Sequence, residues 1–527
     1  MSDSQLNRVT WDGVGAPCFR FQIPLVDIQG YWTPETRTPR MTLPWCLELL
    51  SASQKNFPAL VFLNSAGQCR ALVALSSLER ETRIVAQMNQ EECTYDVTVE
   101  TLPPAEGEEL VLTVDRRPIP WMQALSEWRE GLGLPTPYIP AAAWRPVFCT
   151  WYAVHATVDA AWVEENARIA AGLGIGTMIV DDGWCFDQRK RVSPQTLGTW
   201  YENIGDWRVS QIKFPDFDDH VRRVQSLGLK YLLWVTPYLI GTRSQAYSQE
   251  FADALLPGEP KEGCRMLDVN RQDKTPLMAD RLSRLLRETP IDGLKVDFLD
   301  NIPPSWERPV GAAAMAFVRE LSRQIRQARP EALVEFRQSY CTPGMAPYAT
   351  QFRCSDVPFD FIDNFQRLAQ LRVALGDGLP VHADPIYWAP GERDVNVSRH
   401  LIASLLGTPM LSMDLRRLTP RERRIIAFWL KFYNENLPAY QTGRWSIHYQ
   451  AESVGYALLQ APGRSRIAIL QEPSLLPELL KRTAPGDFLL NLSLEDLPVP
   501  NATTLFHPSG EDTASGILPA GGAAARA

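Results

Sequence analysis

Short apolar runs separated by turn-forming residues fill the first 135 or so positions. PALVFLN, QCRALVALS, CTYDVTVE and ELVLTV are divided by clusters such as PAEGEE. Runs of this length and spacing predict antiparallel strands, so residues 1–137 read as a β-sandwich. From about residue 144 an apolar run is followed repeatedly by a segment of helical period. The runs are RPVFCTWYA, GTMIVDDGW, KYLLWVTPYL, DGLKVDFLD, ALVEFRQSY, FRCSDVPF, LPVHADPIYW and TPMLSMDL; segments such as AAAMAFVRELSRQIRQA and PRERRIIAFWLKFYNEN lie between and after them.

Eight strand-then-helix units match the count of a (β/α)8 TIM barrel, and strands apolar along their whole length suit a sheet covered on both faces. The expected fold class is therefore α/β. A barrel domain over 140–437 is flanked by the N-terminal β-sandwich and by a small C-terminal β domain over 440–510, where WSIHYQ, VGYALLQA and SRIAILQE alternate again. The Gly/Ala-rich end, 511–527, reads as a disordered tail. A doubly wound open sheet is the alternative, but no GxGxxG follows any of these strands.

In a barrel the chemistry sits at the C-terminal strand ends, so the residues closing each strand matter most. Strand two ends in Asp181 and Asp182, and strand four carries Lys295, Asp297 and Asp300. Strand five ends in Glu335 and Arg337, strand six in Arg353 and Asp356, strand seven in His382 and Asp384, and strand eight in Asp414. Trp151, Trp184, Trp234, Tyr340 and Trp388 lie beside them, with Trp207 in the loop after strand two. Carboxylates pair with hydroxyls and flat aromatic faces stack on pyranose rings, so this set predicts a sugar site. Glycoside cleavage needs two carboxyl groups, one to attack or activate water and one to protonate the leaving oxygen. Lys295 two positions before Asp297 faces the same side of the strand and would keep that carboxylate ionised. Asp356, followed by Val357, Pro358 and Phe359, is expected in an apolar setting that keeps it protonated.

Composition narrows the partners. The 527 residues hold 53 Lys plus Arg against 61 Asp plus Glu, a net charge of −8, with no basic run to track phosphates. Nucleic acid and membrane are not expected as partners, since no stretch of eighteen apolar residues and no signal-like N-terminus occurs. Nine scattered cysteines without CxxC predict reduced thiols and a cytoplasmic protein. Without HExxH or clustered histidines no metal site is expected.

The ordered pieces VDDGW (180–184), GDWRV and KFP (205–215), GLKYLLWVTPY (228–238), GLKVDFLD (293–300) and RCSDVPF (353–359) resemble the α-galactosidases of glycoside hydrolase family 36, in the clan shared with family 27. HADPIYW (382–388) and PMLSMDL are weaker echoes. The resemblance implies a retaining, exo-acting hydrolase of terminal α-linked galactose that needs no metal or organic cofactor. It implies Asp297 as nucleophile, Asp356 as acid/base and Lys295 as a lysine contacting sugar hydroxyls. Asp181 and Asp182 would bind the 4- and 6-hydroxyls, Trp234 would be the stacking wall, and Arg353 would orient the acid/base or the 2-hydroxyl. Trp184, Trp207 and Arg337 complete the expected substrate contacts. The substrate would be an α-glycoside or oligosaccharide, and a homo-oligomer is open.

The sequence departs from that pattern in EFRQSYCTPG, where Arg337 and Tyr340 stand at positions for which small residues are expected. A sugar that is N-acetylated or anionic is therefore an alternative, as is transfer of the raffinose-synthase type. A metal-dependent barrel lyase or isomerase and a silent sugar-binding protein are readings from other classes. Trp32 and Trp45 are candidates for an aromatic contributed by the N-terminal domain.

Overall fold

The computed structural model describes residues 6–13, 15–357, 359–510 and 516–526. Its centre is an eight-stranded parallel sheet: β1 (Val147–Cys149), β2 (Thr177–Val180), β3 (Lys230–Val235), β4 (Gly293–Val296), β5 (Leu333–Arg337), β6 (Gln351–Arg353), β7 (Val381–His382) and β8 (Met410–Leu411). Neighbours pair in chain order and β8 returns to β1 through Val147 and Met410. Parallel bridges from His382 to Thr408 and from Ile386 to Leu411 close the remaining gap between β7 and β8. The eight strand-forming runs of the sequence are these eight strands.

The strands are apolar throughout because both faces are covered; β2 and β4 are buried at every position. Helices bring their apolar stripes onto the outer face. Gly311–Ala328 buries Ala314, Val318, Leu321 and Ile325 at helical spacing. Pro420–Glu435 starts at a reciprocal cap between Thr419 and Glu422, with Pro at its first position.

Residues before the barrel form two antiparallel sheets packed face to face, as the sandwich reading requires. One orders the strands Leu6–Thr10, Val111–Asp115, Cys69–Leu75, Ala59–Leu63 and Gly30–Trp32; the other orders Cys18–Pro24, Thr94–Thr101, Thr82–Asn89 and Cys46–Ser51. Strand Ala59–Leu63 alternates between two cores. Leu60 and Phe62 enter the sandwich interior, whereas Ala59, Val61 and Leu63 join Trp32, Trp121 and Trp128 in the cluster that continues into the barrel.

Polar contacts then fix the sandwich to the segment after β4. Ser53 Oγ donates to the Gly311 carbonyl at 2.6 Å and Gln54 Nε2 to that of Ile302 at 3.1 Å. The buried Glu81 carboxylate accepts the N–H groups of Val310 and Gly311 at 2.7 and 2.9 Å, capping helix Gly311–Ala328 from another part of the chain. A β-carbon on Gly311 would lie 2.2 Å from the Glu79 carbonyl oxygen, so only glycine permits this approach.

After the barrel, a six-stranded sheet orders Arg444–Gln450, Ser453–Gln460, Ile467–Leu470, Phe488–Asn491, Ala523–Arg526 and Ala502–Phe506. The expected disordered tail is corrected here: Ala523–Arg526 is an interior strand, antiparallel to both neighbours. Ala523 faces the barrel-side cluster with Phe432 and Phe506, and Ala524 faces the cluster on the sheet's other side. Small side chains fit a strand held between two layers, and the same composition reads as low complexity when contacts are not visible. Residues 511–515 of that tail lie outside the described residues. Among the described residues no helix is long and apolar enough to cross a membrane.

Glu81→Ala removes the carboxylate oxygen that accepts both N–H groups of the helix start, and a loss of about 1–2 kcal/mol is expected. It should register as a melting temperature lower by a few degrees. An unchanged melting temperature would contradict the anchoring role.

Candidate active site

The C-terminal strand ends open into a pocket of about 150 Å³ lined by Trp151, Asp181, Asp182, Tyr201, Trp234, Lys295, Asp297, Phe298, Arg353 and Asp356. A larger, shallow groove of about 520 Å³ on the C-terminal sheet is lined by Arg444, Arg464 and Arg466 among others and holds no acid or nucleophile.

Asp297 follows β4 directly and is buried. The next residue, Phe298, takes a left-handed backbone with φ of 59°, which ends the strand and turns the chain away. Asp297 Oδ1 accepts the Phe298 N–H at 2.9 Å and lies 2.7 Å from Arg337 Nε. Oδ2 accepts Trp234 Nε1–H at 3.0 Å and lies 3.7 Å from Lys295 Nζ. Burial alone would raise the carboxyl's pKa, but Arg337, Lys295 and Arg353 outweigh it and hold Asp297 ionised well below the usual carboxylate range. Lys295, itself buried, donates to Asp181 Oδ2 at 2.6 Å, and that charge opposes the desolvation of the ammonium.

Asp181 and Asp182 differ although adjacent. Asp181 faces Lys295, whereas Asp182, equally buried, accepts Trp200 Nε1–H on Oδ2 at 2.7 Å. Burial pushes Asp182 up to about 7, against the Trp200 hydrogen bond and with help from the charge of Asp181. Its Oδ1 is buried without a hydrogen-bond partner in the protein. Such an atom is costly unless a ligand hydroxyl reaches it.

Asp356 lies half-exposed beyond β6, its side chain 54% accessible. Arg353 Nη1 donates to its Oδ1 at 2.9 Å, and Arg337 Nη1 stands 3.7 Å from Oδ2. Partial burial raises its pKa, but Arg353 and Arg337 lower it further than burial and the charge of Asp297 raise it, so the group is ionised in the ligand-free site. This corrects the expectation of an apolar setting: two guanidiniums, one of them from a neighbouring strand, stand beside the carboxylate. Pro358, named in that expectation, lies outside the described residues. Arg353 also ion-pairs with buried Asp384, which accepts Tyr152 Oη–H at 3.1 Å and the Val357 N–H at 2.9 Å. Burial carries Asp384 to about 7 despite Arg353.

Arg337 is the bridge between the two halves. Its guanidinium touches Asp297 and Asp356, lies 3.6 Å from Asp300 Oδ1, and covers the Phe298 ring at 5.0 Å. It does not line the pocket. Three carboxylates surround it, so it is not a free anion-binding group.

Other expected contacts fall elsewhere. Trp184 and Trp207 do not line the pocket; they are buried behind Trp234, Trp184 donating to the Trp234 carbonyl at 2.8 Å and Trp207 meeting its ring edge-on at 5.9 Å. Tyr340 is buried and donates to the Val296 carbonyl at 2.6 Å, steadying the strand that presents Asp297. Trp388 donates to Glu422, and Glu335 faces His382 inside the barrel at 3.2 Å. Asp414 pairs with Arg416 away from the pocket. Trp32 is core and Trp45 is exposed on the sandwich surface. Tyr201, Phe298 and Trp200 were not expected. Tyr201 stacks on Trp234 at 6.5 Å and 16°, completing the aromatic wall. Both Trp200 and Tyr201 come from the long loop after β2, which has no periodicity to point to them.

Among known proteins the barrel has clear relatives. Residues 140–363 match the Melibiase family model. The α-galactosidase AgaA of Geobacillus stearothermophilus is 25% identical over 317 residues, covering 55% of this chain and 41% of that protein. Alpha-galactosidase 1 of Pediococcus pentosaceus is 27% identical over 329 residues, covering 57% and 42%. The chain thus spans about two fifths of the length of these relatives in the matched region. A crystal structure of a doubly substituted variant of the Geobacillus stearothermophilus AgaA, described as a GH36 α-galactosidase in complex with raffinose, superimposes with a TM-score of 0.68 at 18% identity. It covers 95% of this chain and 74% of the other, and the shared fold includes the antiparallel sheets flanking the barrel.

The charge arrangement is directly testable. Lys295→Met leaves Asp181 and Asp297 without their shared cation and should cost about 3–5 kcal/mol in denaturant unfolding. Adding Asp181→Asn should recover part of that loss. Additive losses in the double variant would show that Lys295 and Asp181 are not coupled.

Proposed function

We propose that this chain is an exo-acting, retaining hydrolase of terminal α-galactosides. The observation that carries the reading is one pocket shared by a buried, ionised Asp297 and a half-exposed Asp356, with one guanidinium touching both. Asp297 attacks the anomeric carbon while Asp356, protonated when substrate is bound, gives its proton to the leaving oxygen as the C–O bond breaks. The same Asp356, now a base, takes a proton from the water that displaces Asp297 from the sugar. Configuration at the anomeric carbon is retained.

The rest of the pocket suits a single sugar ring. The unpartnered Asp182 oxygen accepts a hydroxyl proton, Lys295 donates to a hydroxyl beside the nucleophile, and the wall of Trp234 and Tyr201 covers the ring's apolar face. The likeness of the matched region to α-galactosidases, and the raffinose bound to the Geobacillus protein, support galactose as that sugar. An anionic sugar is disfavoured by the three carboxylates that already balance Arg337. Each pocket carboxylate except Asp182 meets a cationic side chain of the protein itself, an arrangement that suits glycoside chemistry better than divalent-metal binding. All nine cysteines are free thiols, consistent with a cytoplasmic site of action.

Asp297→Asn should lower turnover of aryl α-galactosides by several orders of magnitude; near-normal activity would remove Asp297 from the nucleophile's role. Asp356→Ala should harm raffinose cleavage far more than cleavage of a dinitrophenyl α-galactoside, whose leaving group needs no proton.

The pH profile tests Arg337. Cleavage needs Asp297 ionised and Asp356 protonated, so kcat/KM falls below the first pKa and above the second. Arg337 lowers both, alongside Lys295 and Arg353 and against the mutual repulsion of the two carboxylates. Arg337→Ala should therefore move both limbs for raffinose to higher pH. A profile that keeps its limbs would show that the bridge does not tune the pair.

A further inference from the structure

The pocket accounts for the sugar that is attacked and leaves open what holds the group that departs. Asp356 must hand its proton to the leaving oxygen, so that group lies beside Asp356 on its solvent side. Three aromatic rings from three different loops meet close to the Asp356 loop, for Tyr152 donates to Asp384, which also accepts the Val357 N–H next to Asp356. Tyr152 follows the pocket residue Trp151 after β1, Tyr387 follows β7, and Phe359 stands three positions after Asp356 beyond β6. Tyr152 and Tyr387 stack with centroids 4.6 Å apart at 26°, and Phe359 lies 4.2 Å from Tyr387 at 49°.

This ladder is built rather than incidental. Its base is fixed at both ends of Tyr152: the backbone N–H donates to Ser412 Oγ at 2.9 Å and the hydroxyl to Asp384 at 3.1 Å. Asp384 is the carboxylate that holds Arg353 and the Val357 N–H, so the ladder and the acid/base loop share one anchor. Its outer rung, Phe359, is 56% exposed although it is a large apolar side chain. Phe359 also adopts a left-handed backbone with φ of 65°, a conformation that costs a bulky residue energy and persists where surrounding contacts impose it. A strained, exposed ring three positions after Asp356, on a loop tied to the same Asp384 anchor, fits a ligand platform better than a packing element.

We propose that Phe359, Tyr387 and Tyr152 form the leaving-group subsite, which takes a ring with an apolar face, as the next sugar of an oligosaccharide presents. The proposal rests on the hydrolase reading above. The ring stacks against Phe359 while its glycosidic oxygen meets Asp356, and stacking of this kind favours ring-bearing over ring-free leaving groups.

The test compares raffinose with methyl α-D-galactopyranoside. Both leaving groups require protonation, and only raffinose carries a ring beyond the scissile bond. Phe359→Gly removes the rung and suits the left-handed backbone, so the variant is expected to fold. The ratio of kcat/KM for raffinose to that for the methyl galactoside should fall about five- to tenfold, and Phe359→Tyr should restore it. A displaced Asp356 would instead lower both substrates together, and that result, like an unchanged ratio, would overturn the subsite. Cleavage of neither substrate by the unmodified protein would overturn the hydrolase reading and the subsite with it; cleavage of the methyl galactoside alone would overturn only the subsite.

Discussion

Three cations, Lys295, Arg337 and Arg353, stand between four carboxylates around one barrel mouth, and the geometry of the site follows from that alternation. Lys295 lies between Asp181 and Asp297, Arg337 between Asp297 and Asp356, and Arg353 between Asp356 and Asp384. An isolated carboxylate as buried as Asp297 would take up a proton; with these neighbours it stays charged. The same series leaves Asp182, whose nearest polar contact is the Trp200 indole, raised to about 7 and short of a partner. One end of the pocket is thus saturated with charge and the other is open to hydroxyls.

Holding that alternation in register is a task for the whole chain. Strands β2, β4, β5, β6 and β7 of one closed sheet deliver most of the charged residues at or just past their C-terminal ends, with Asp356 carried three residues beyond β6. The loops that follow are steadied from outside the barrel. Glu81, Ser53 and Gln54 hold the segment after β4, and the Asn56 N–H reaches the Ser339 carbonyl beside Arg337. The tryptophan-rich cluster under strand Ala59–Leu63 makes sandwich and barrel one apolar body, so these polar contacts act at fixed distances.

The barrel was legible because its strands are apolar on both faces and its helices are not, a contrast that survives in one dimension. Asp181, Asp182, Lys295, Asp297, Arg353 and Asp356 all line one pocket, because a strand end fixes where a side chain goes. Reading failed where neighbours in space differ from neighbours in sequence. Asp356 seemed apolar from Val357 and Phe359, yet its surroundings are Arg353 and Arg337, the latter from another strand. Trp184 and Trp207 look like Trp234 in sequence, but only the last reaches the pocket, since the others fill the space behind it. Tyr201 and Trp200 lie in a long aperiodic loop whose path no local signal records. The terminal alanines were misread because composition does not reveal that a strand is covered on both faces.

The central claim is that Asp297, ionised by its flanking cations, forms a covalent bond to the sugar. Incubation with 5-fluoro-α-D-galactosyl fluoride, whose glycosyl-enzyme is slow to hydrolyse, followed by peptide mapping tests it most directly. The account predicts one added fluorogalactosyl group per chain, carried by the peptide containing Asp297 and absent in Asp297→Asn. A label on another carboxylate, or turnover of the reagent by a protein that never carries a label, would contradict it.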